Sequence, residues 1–209
     1  MVYNLNKYLI LDFAWEGTIA MADSNITKRA LAAALKELME QKPFSKINVA
    51  EICEKCGMNR KSFYYHFKDK YDLVNWIFDT DFTRVLETHG EDAYFTWPFL
   101  ESLCDCFYEN RSFYRKALKI RGQNCFIDHY REKLEPFMQV GMRRILRETE
   151  YMDFQISFFA DAFIGSLERW LSESDCMPAS ELIIRVKACI KSCAEIAEIS
   201  ESAEQKPVR

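Results

Sequence analysis

Glycine and proline are both scarce in this chain. Six glycines and five prolines occur among 209 residues, well below the usual share of each. Because these two residues interrupt regular structure and supply turns, their scarcity disfavours a turn-rich β fold and favours helices. No alternating strand pattern, internal repeat or low-complexity stretch is visible either. The sequence therefore predicts an all-α protein.

Long apolar runs are also lacking. The strongest candidate, YLILDFAW at residues 8–15, is interrupted by Asp12 and followed by Glu16, and it is too short to cross a bilayer. Eight cysteines are present, but the helical patterning and the weak export signal indicate reducing cytosol, where cysteine behaves as a small buried hydrophobe. We therefore expect a cytoplasmic protein with free thiols and no membrane partner.

The residues that carry most enzyme and metal chemistry do not fall into recognisable sets. Three histidines, at positions 66, 89 and 129, belong to no assembled catalytic pattern. Cys53 and Cys56 have the spacing of a metal or redox pair, but no second pair follows at zinc-finger spacing. Cys189 and Cys193, one helical turn apart, are likewise interpreted as core or interface packing. We expect no enzyme activity, no cofactor and no metal.

Positive charge is concentrated in one segment. The chain has a formal net charge of −4, yet residues 42–70 contain seven Lys/Arg against three Asp/Glu. A small basic patch on an acidic body indicates a local contact with a polyanion. The alternative is an ordinary solvated surface.

Capping signals divide this segment into short helices. A first helix is expected to begin at Ser24 or Asn25 and to end near residue 42. Asn48 opens a second helix with a capping box to the residue at 51, and Gly57 ends it. Asn59 caps a third helix at roughly 60–66. Two short helices joined through glycine after a longer one are typical of a helix-turn-helix.

Residues 26–76 resemble the DNA-binding domain of the TetR family of bacterial transcription regulators. The resemblance rests on the amphipathic first helix and on the segment INVAEICEKCGMNRKSFYYHFKDKYDLV. Cys53 and Cys56 stand where the family usually has alanine, and Asn59 stands where serine is common. The later stretch FFADAFIGSLERWLSESDCMPASELI is similar to the C-terminal region of Firmicutes members. The resemblance implies an N-terminal three-helix helix-turn-helix domain and a C-terminal helical bundle for ligand binding and dimerisation.

The predicted helix-turn-helix indicates which residues contact DNA. The N-terminal residues of the second helix of this motif enter the major groove, where Arg or Lys can bond guanine and Ser can bond either base type. The resemblance further implies that Tyr65 and His66 touch phosphates while Phe63 and Phe67 seal the small core. A phosphate contact is expected from Lys70 at the next helix start. The full predicted set is Thr27, Asn48, Asn59, Arg60, Lys61, Ser62, Tyr64, Tyr65, His66 and Lys70.

Four regions are predicted along the chain. Residues 1–20 form a dispensable N-terminal extension, 21–88 the DNA-binding domain, 89–200 the effector-binding and dimerisation domain, and 201–209 a flexible tail. The predicted helices of the second domain are 98–109, 111–119, 123–148, 153–173 and 179–199.

Two sets of residues in the second domain are candidates for binding. Its aromatic residues either line a cavity for a small apolar or aromatic effector or fill a core, and the sequence leaves both open. These residues are Phe99, Phe107, Phe113, Tyr114, Phe126, Tyr130, Phe137, Phe158 and Phe163. A four-helix isologous dimer interface is predicted from the last two helices. Its residues are Phe154, Phe158, Ala162, Gly165, Leu171, Leu182, Val186, Cys189, Ile190, Cys193 and Ile196.

The function predicted from these features is that of a homodimeric, ligand-responsive transcription regulator bound to double-stranded operator DNA. Repression is favoured over activation. The alternative is a regulator that keeps the fold but acts through a protein partner, as a co-activator does, without sequence-specific DNA binding.

Overall fold

The all-α prediction is confirmed. The computed structural model describes residues 20–90, 96–122, 125–145 and 150–204. In these ranges the chain forms nine α-helices and one short 3-10 turn, with no strand. The helices are α1 (Ala20–Gln41), α2 (Val49–Lys55), α3 (Arg60–His66), α4 (Lys70–His89), α5 (Trp97–Glu109), α6 (Arg111–Ala117), α7 (Phe126–Ile145), α8 (Met152–Ser172) and α9 (Ala179–Glu204), with the 3-10 turn at Phe44–Lys46.

Helix α1 begins earlier than predicted. It includes Ala20, so Ser24 and Asn25 lie inside the helix and the predicted cap at either position is wrong. Residues 20–23, AMAD, contain no glycine or proline, and alanine and methionine are good helix formers, so no helix breaker separates them from Ser24. The predicted extension at residues 1–20 otherwise lies outside the described residues.

The predicted boundaries of α2 and α3 are confirmed, because both are set by local caps. The side chain of Asn48 accepts a hydrogen bond from the Glu51 N–H at 3.1 Å, and the Glu51 carboxylate accepts one from the Asn48 N–H at 3.0 Å. Gly57 follows α2 with a φ of 68°, a conformation that costs glycine little. The side chain of Asn59 accepts from the Ser62 N–H at 2.8 Å and starts α3.

Helix α4 belongs to both parts of the molecule. Near its start, the Trp76 ring packs against Phe67 of the helix-turn-helix at 5.8 Å between centroids. Farther along, Phe78 packs against Phe107 of α5 and Tyr130 of α7, at 6.1 and 5.1 Å. The helix ends at His89, next to the predicted boundary between 88 and 89. One helix therefore packs against both the helix-turn-helix and the bundle.

Two polar contacts also tie α6 to the first four helices. The Tyr114 hydroxyl donates to the Asp81 carboxylate at 2.7 Å. The ammonium of Lys116 donates to the backbone carbonyls of Met39 and Glu40 at the end of α1. Helix C-termini have unpaired carbonyls and a partial negative charge. A lysine there donates hydrogen bonds to the carbonyls and its positive charge offsets the negative end of the helix. The end of α1 is thus held by a residue of the bundle.

The helices of the bundle lie close to the predicted ones, with differences at their ends. Helix α7 covers residues 126–145, and residues 123, 124 and 146–148 of the predicted helix lie outside the described ones. Helix α9 continues to residue 204, five residues beyond its predicted end. Residues 201–204 of the predicted tail are therefore helical. Among the described residues, none of the helices combines the length and the apolar character needed to cross a membrane.

Candidate nucleic-acid interface

The inner face of α3 is anchored by two phenylalanines. Phe63 and Phe67 are 0% and 3% exposed, and their ring centroids lie 5.7 Å apart. Phe67 in turn packs on Trp76 of α4. Because both rings point into the core, the direction of the other α3 side chains is determined by helical geometry. The prediction that these two residues seal the small core is confirmed.

The outer face of α3 presents cations and hydroxyls. Arg60 and Lys61 in its first turn are exposed. Tyr64 and Tyr65 are 58% and 82% exposed. Tyrosine is usually more buried than this, and two adjacent exposed rings with polar tips suit a surface that contacts another molecule.

Only some of the seven cations in residues 42–70 are available to a polyanion. Lys42 pairs with Glu51 at 2.5 Å, and its hydrogen bond is the main cause that lowers the pKa of that carboxyl below its ordinary value. Lys55 pairs with Glu37 at 2.7 Å. The cations that are exposed and form no ion pair within the described ranges are Lys46, Arg60, Lys61 and Lys68. The structure therefore narrows the basic patch to these four.

Lys70 has a structural role that the sequence did not reveal. Its ammonium donates to the carbonyls of Phe44 and Ile47 at 2.8 and 2.7 Å and lies 4.4 Å from the centre of the Phe44 ring. Burial lowers the pKa of Lys70 below its ordinary value, against the opposing charges of Asp69 and Glu51. Lys70 thus supports the turn between α1 and α2, and its phosphate contact stays a prediction.

Replacing Lys70 should therefore lower stability as well as any DNA affinity. Lys70→Met keeps the aliphatic stem but leaves the carbonyls of Phe44 and Ile47 without their donor, so we expect a loss of about 1–3 kcal/mol in the free energy of unfolding. The neighbouring Lys68→Met removes an exposed ammonium and should change it by less than about 0.5 kcal/mol. Urea denaturation followed by circular dichroism measures both. Equal losses in the two variants would contradict the structural role of Lys70.

The end of α3 lies beside α1. The Ser24 hydroxyl is 3.5 Å from Nδ1 of His66, and the Lys28 ammonium lies 6.0 Å from the centre of the Phe67 ring. Burial, and then the charge of Lys28, lower the pKa of His66. His66 is therefore largely uncharged at neutral pH and would meet a phosphate through an N–H group. Thr27, another predicted contact, is half-buried in this same turn of α1.

Two predicted contacts, Asn48 and Asn59, have side-chain oxygens that already serve as helix caps, and a third, Ser62, donates its hydroxyl to one of them. The Asn59 oxygen accepts from the N–H of Ser62 at 2.8 Å and lies 3.3 Å from the Ser62 hydroxyl, which donates to it. The Asn48 oxygen accepts from the N–H of the residue at 51. These atoms position α2 and α3, whereas Arg60 and Lys61 are exposed and form no ion pair within the described ranges.

Cys53 in α2 and Cys56 directly after it both pack against the hydrophobic core. Cys53 is 2% exposed, and burial is the main cause that raises the pKa of its thiol. Cys56 is half-buried, and its thiol donates to the Ile52 carbonyl at 3.3 Å. Within the described ranges, no group of three or more His, Cys, Asp or Glu side chains is placed to hold a metal ion.

The aromatic residues predicted for an effector cavity form a packed cluster in the bundle. Phe99 and Phe137 have centroids 4.3 Å apart, as do Phe107 and Tyr114. Phe158 is 58% exposed on the outside of α8 and does not belong to the cluster, so that assignment is wrong. Phe163 is half-buried, and the buried members are Phe99, Phe107, Phe113, Tyr114, Phe126, Tyr130 and Phe137.

Two further members of this cluster were not predicted from the sequence. Phe78 and Phe82, one turn apart on α4, pack against each other at 5.6 Å and reach the aromatic residues of α5 and α7. Both lie in the segment predicted as part of the DNA-binding domain. Their spacing of four residues on the helix that leaves this domain was the available signal.

An exposed apolar stripe runs along α8. Phe154 is 71% and Phe158 is 58% exposed, and Ala162 and Gly165 continue the same face. A Cβ atom added at Gly165 would meet no atom within 4 Å, so this part of the stripe is open to a close neighbour.

The remaining predicted interface residues divide into three groups. Leu171 and Leu182 are buried in the core of the subunit, so their assignment to the interface is wrong, and Val186 is half-buried against that core. On α9 the exposed members are Cys189, Ile190 and Cys193. The side chain of Ile196 lies outside the described residues.

The helix-turn-helix with its exposed basic helix, joined to a helical bundle, defines a DNA-binding transcription regulator. The family model described as bacterial regulatory proteins, tetR family, matches residues 30–77. The model described as transcriptional regulator C-terminal region, of the same family, matches residues 96–192. The chain belongs to the TetR family of bacterial regulatory proteins.

Relatives in other bacteria extend this comparison. The HTH-type dhaKLM operon transcriptional activator DhaS of Lactococcus lactis is 26% identical over 182 residues, which cover 86% of this chain and 91% of that protein. The solved structure of a dihydroxyacetone kinase operon activator DhaS has a TM-score of 0.57 at 22% identity, covering 79% of this chain and 97% of its own. A TetR transcriptional regulator from Streptococcus agalactiae has a TM-score of 0.61 at 23% identity, covering 80% and 94%. At these identities the two structures show the shared fold.

Proposed function

We propose that the protein is a homodimeric transcription regulator that binds operator DNA through α3 and responds to a small effector bound in its helical bundle. The observation that carries this proposal is the orientation of α3. Phe63 anchors the helix on one side, and helical spacing puts Lys61 and Tyr65 on the opposite side. Arg60 and Tyr64 are exposed at the flank between these two sides. Arginine and lysine at the start of a recognition helix suit guanine edges in the major groove, and tyrosine hydroxyls suit phosphates.

The base-reading role is assigned to Lys61. It is exposed in the first turn of α3, one residue after Arg60. The phosphate contacts are assigned to Tyr65, which is 82% exposed, and to His66. In this arrangement Tyr65 and His66 set the position of the helix on the duplex, and Lys61 contributes sequence preference.

Lys61→Ala should weaken binding and relax the preference at one base position. If the contact is bidentate, the discrimination lost there is about 1–3 kcal/mol. A control, Lys119→Ala, removes the same charge from an exposed position after α6. It should leave the base preference unchanged. Affinities for a small library of operator variants, measured at two salt concentrations, separate these effects. If Lys61→Ala loses affinity equally for all sequences, Lys61 contacts the backbone instead.

Dimerisation is assigned to the α8 stripe together with the exposed part of α9. TetR-family regulators bind operator DNA and act as dimers. A two-fold axis at this end of the bundle would present two copies of α3 to two half-sites roughly 34 Å apart, one helical turn of DNA. The open Gly165 permits close approach of the partner's α8 at the centre of the interface.

Effector response is assigned to the aromatic cluster. Phe78 places α4 in contact with α5 and α7, and the same helix supports α3 through Trp76. Lys116 fixes α6 to the end of α1. An effector that binds one arrangement of the cluster more tightly than another would therefore shift the relative positions of the two α3 helices.

Selection of bound duplexes from a random double-stranded library tests the DNA-binding part directly. We expect enrichment of a palindrome-like sequence, followed by a saturable mobility shift with it. Absence of any enriched sequence would favour the alternative, a regulator that acts through a protein partner. A reporter gene fused to the enriched operator shows whether the protein represses or activates transcription. Repression stays a prediction, and the relative from Lactococcus lactis is named an activator.

A further inference from the structure

Tyr130 of α7 lies at the centre of the aromatic cluster with an unpaired hydroxyl. The residue is 0% exposed, and its ring centroid lies 5.1 Å from that of Phe78, 5.5 Å from that of Phe107 and 6.0 Å from that of Phe126. Within the part of the chain that the structure describes, no group forms a hydrogen bond with the hydroxyl. Buried hydroxyls are nearly always paired, so this one calls for an explanation.

The second buried tyrosine of the cluster gives a direct comparison. Tyr114 is 1% exposed and packs against Phe107 at 4.3 Å, but its hydroxyl donates to Asp81 at 2.7 Å. The two tyrosines therefore share a ring environment and differ in the partner of the hydroxyl. If Tyr130 only filled space, phenylalanine would serve equally well and would bury no polar atom.

The rings of Phe78, Phe107 and Phe126, which pack against Tyr130, carry no charge. Burial is the main cause that raises the pKa of Tyr130 well above its ordinary value, and the nearby Cys104 thiol adds to it. Cys104 is itself 0% exposed, and burial raises the pKa of its thiol to about 12. Both groups are therefore neutral at physiological pH. A charged ligand placed among them would lose its hydration without gaining an opposite charge.

We propose that the Tyr130 hydroxyl is the polar anchor of the effector site, and that the effector is a small uncharged molecule with a flat apolar body and one hydrogen-bonding group. The apolar body packs among the rings of Phe78, Phe107 and Phe126. The hydrogen-bonding group supplies the partner that Tyr130 lacks. This inference rests on the proposed function, because it assigns a ligand class to the effector site named there.

Helix α7, which carries Tyr130, is interrupted by a proline farther along. Pro136 lies inside this helix, so the carbonyl of Glu132 has no N–H partner one turn later and the helix is weakened at that point. A ligand beside Tyr130 would displace Phe78, whose centroid is 5.1 Å away. Because Phe78 belongs to α4, the displacement would reach the packing of α4 against the helix-turn-helix.

The test compares three probes of similar size by calorimetric titration of the full-length protein at neutral pH. Phenol has an aromatic ring and a hydroxyl, toluene has the ring without a polar group, and benzoate carries a charge. For each protein variant, the ratio of the toluene Kd to the phenol Kd measures how much the phenol hydroxyl contributes to affinity. We expect Tyr130→Phe to lower this ratio about tenfold. The control Tyr108→Phe removes a hydroxyl from a ring outside the cluster, stacked on Trp170 at 5.9 Å between centroids, and should leave the ratio unchanged. Benzoate should bind at least about a hundredfold more weakly than phenol.

Several results would overturn the inference. An unchanged ratio in Tyr130→Phe, an equal fall in Tyr108→Phe, or benzoate binding as tight as phenol binding would each do so. A clear fall in the melting temperature of unliganded Tyr130→Phe would also do so, because it would show that the hydroxyl has a partner within the subunit. These titrations contain no DNA, so a result that overturns the ligand class leaves the operator-binding proposal untouched. Conversely, the ratio of the two Kd values can be measured even if the protein binds no operator.

Discussion

Phe63→Ala is expected to lower the free energy of unfolding by about 3–5 kcal/mol, the cost of truncating a fully buried aromatic residue. Phe63 is 0% exposed and contacts the rings of Tyr64 and Phe67 at 5.5 and 5.7 Å. No other large side chain of α3 is buried to this extent. Its removal leaves a cavity under the recognition helix that the short helices α2 and α3 cannot fill without shifting.

The matched control is the neighbouring residue. Tyr64→Ala removes an aromatic ring that is 58% exposed, so stability should change by well under 1 kcal/mol while DNA affinity falls. Urea denaturation monitored by circular dichroism gives both free energies. Because typical domains have 5–15 kcal/mol of stability, Phe63→Ala should remain folded without denaturant. A loss no larger than that of Tyr64→Ala would show that Phe63 does not anchor α3.

Phe158→Glu is expected to convert the dimer to monomers. The α8 stripe that contains Phe158 is isologous in the proposed dimer, so each interface receives two new carboxylates. Burial of an unpaired carboxylate costs several kcal/mol, which raises the dissociation constant of the dimer by at least about a thousandfold. Sedimentation velocity at tens of micromolar should show a dimer for the unchanged protein and a monomer for the variant.

A conservative change at the same position provides the control. Phe158→Leu keeps an apolar side chain and should remain dimeric. Phe158 is 58% exposed in the single subunit, so neither change should unfold the monomer, and circular dichroism checks this. If Phe158→Glu stays dimeric with unchanged affinity, the α8 stripe is not the dimer interface. DNA binding through α3 would then require a different two-fold axis.

The most accurate predictions from sequence were those that depend on neighbours along the chain. The caps at Asn48 and Asn59 involve residues three positions apart, and Gly57 is required by its own backbone conformation. Their residue types therefore predict the boundaries of α2 and α3 without knowledge of the fold. The predicted start of α1 was wrong because the residues at 20–23 include good helix formers and no helix breaker.

Predictions that depend on distant neighbours were less accurate. The two carbonyls that hold Lys70 are 26 and 23 residues away in sequence. Leu171 and Phe158 have similar apolar character and both lie on α8, yet one is fully buried and the other is exposed. Helical periodicity shows that a helix has an apolar face, but it does not show which of two such faces the subunit itself covers.

The sequence by itself determined the helical class, the order of the helix-turn-helix and the outward placement of its basic residues, because caps, scarce breakers and helical spacing act over a few residues. The tertiary structure decided which lysines remain available to DNA, which phenylalanines enter the central cluster and which hydroxyl inside it stays unpaired. These outcomes depend on helices that meet from distant parts of the chain. The pairing of Tyr114 with Asp81, 33 residues away, and the lack of a partner for Tyr130 among the described residues follow from helix packing, since both residues are tyrosines on apolar faces.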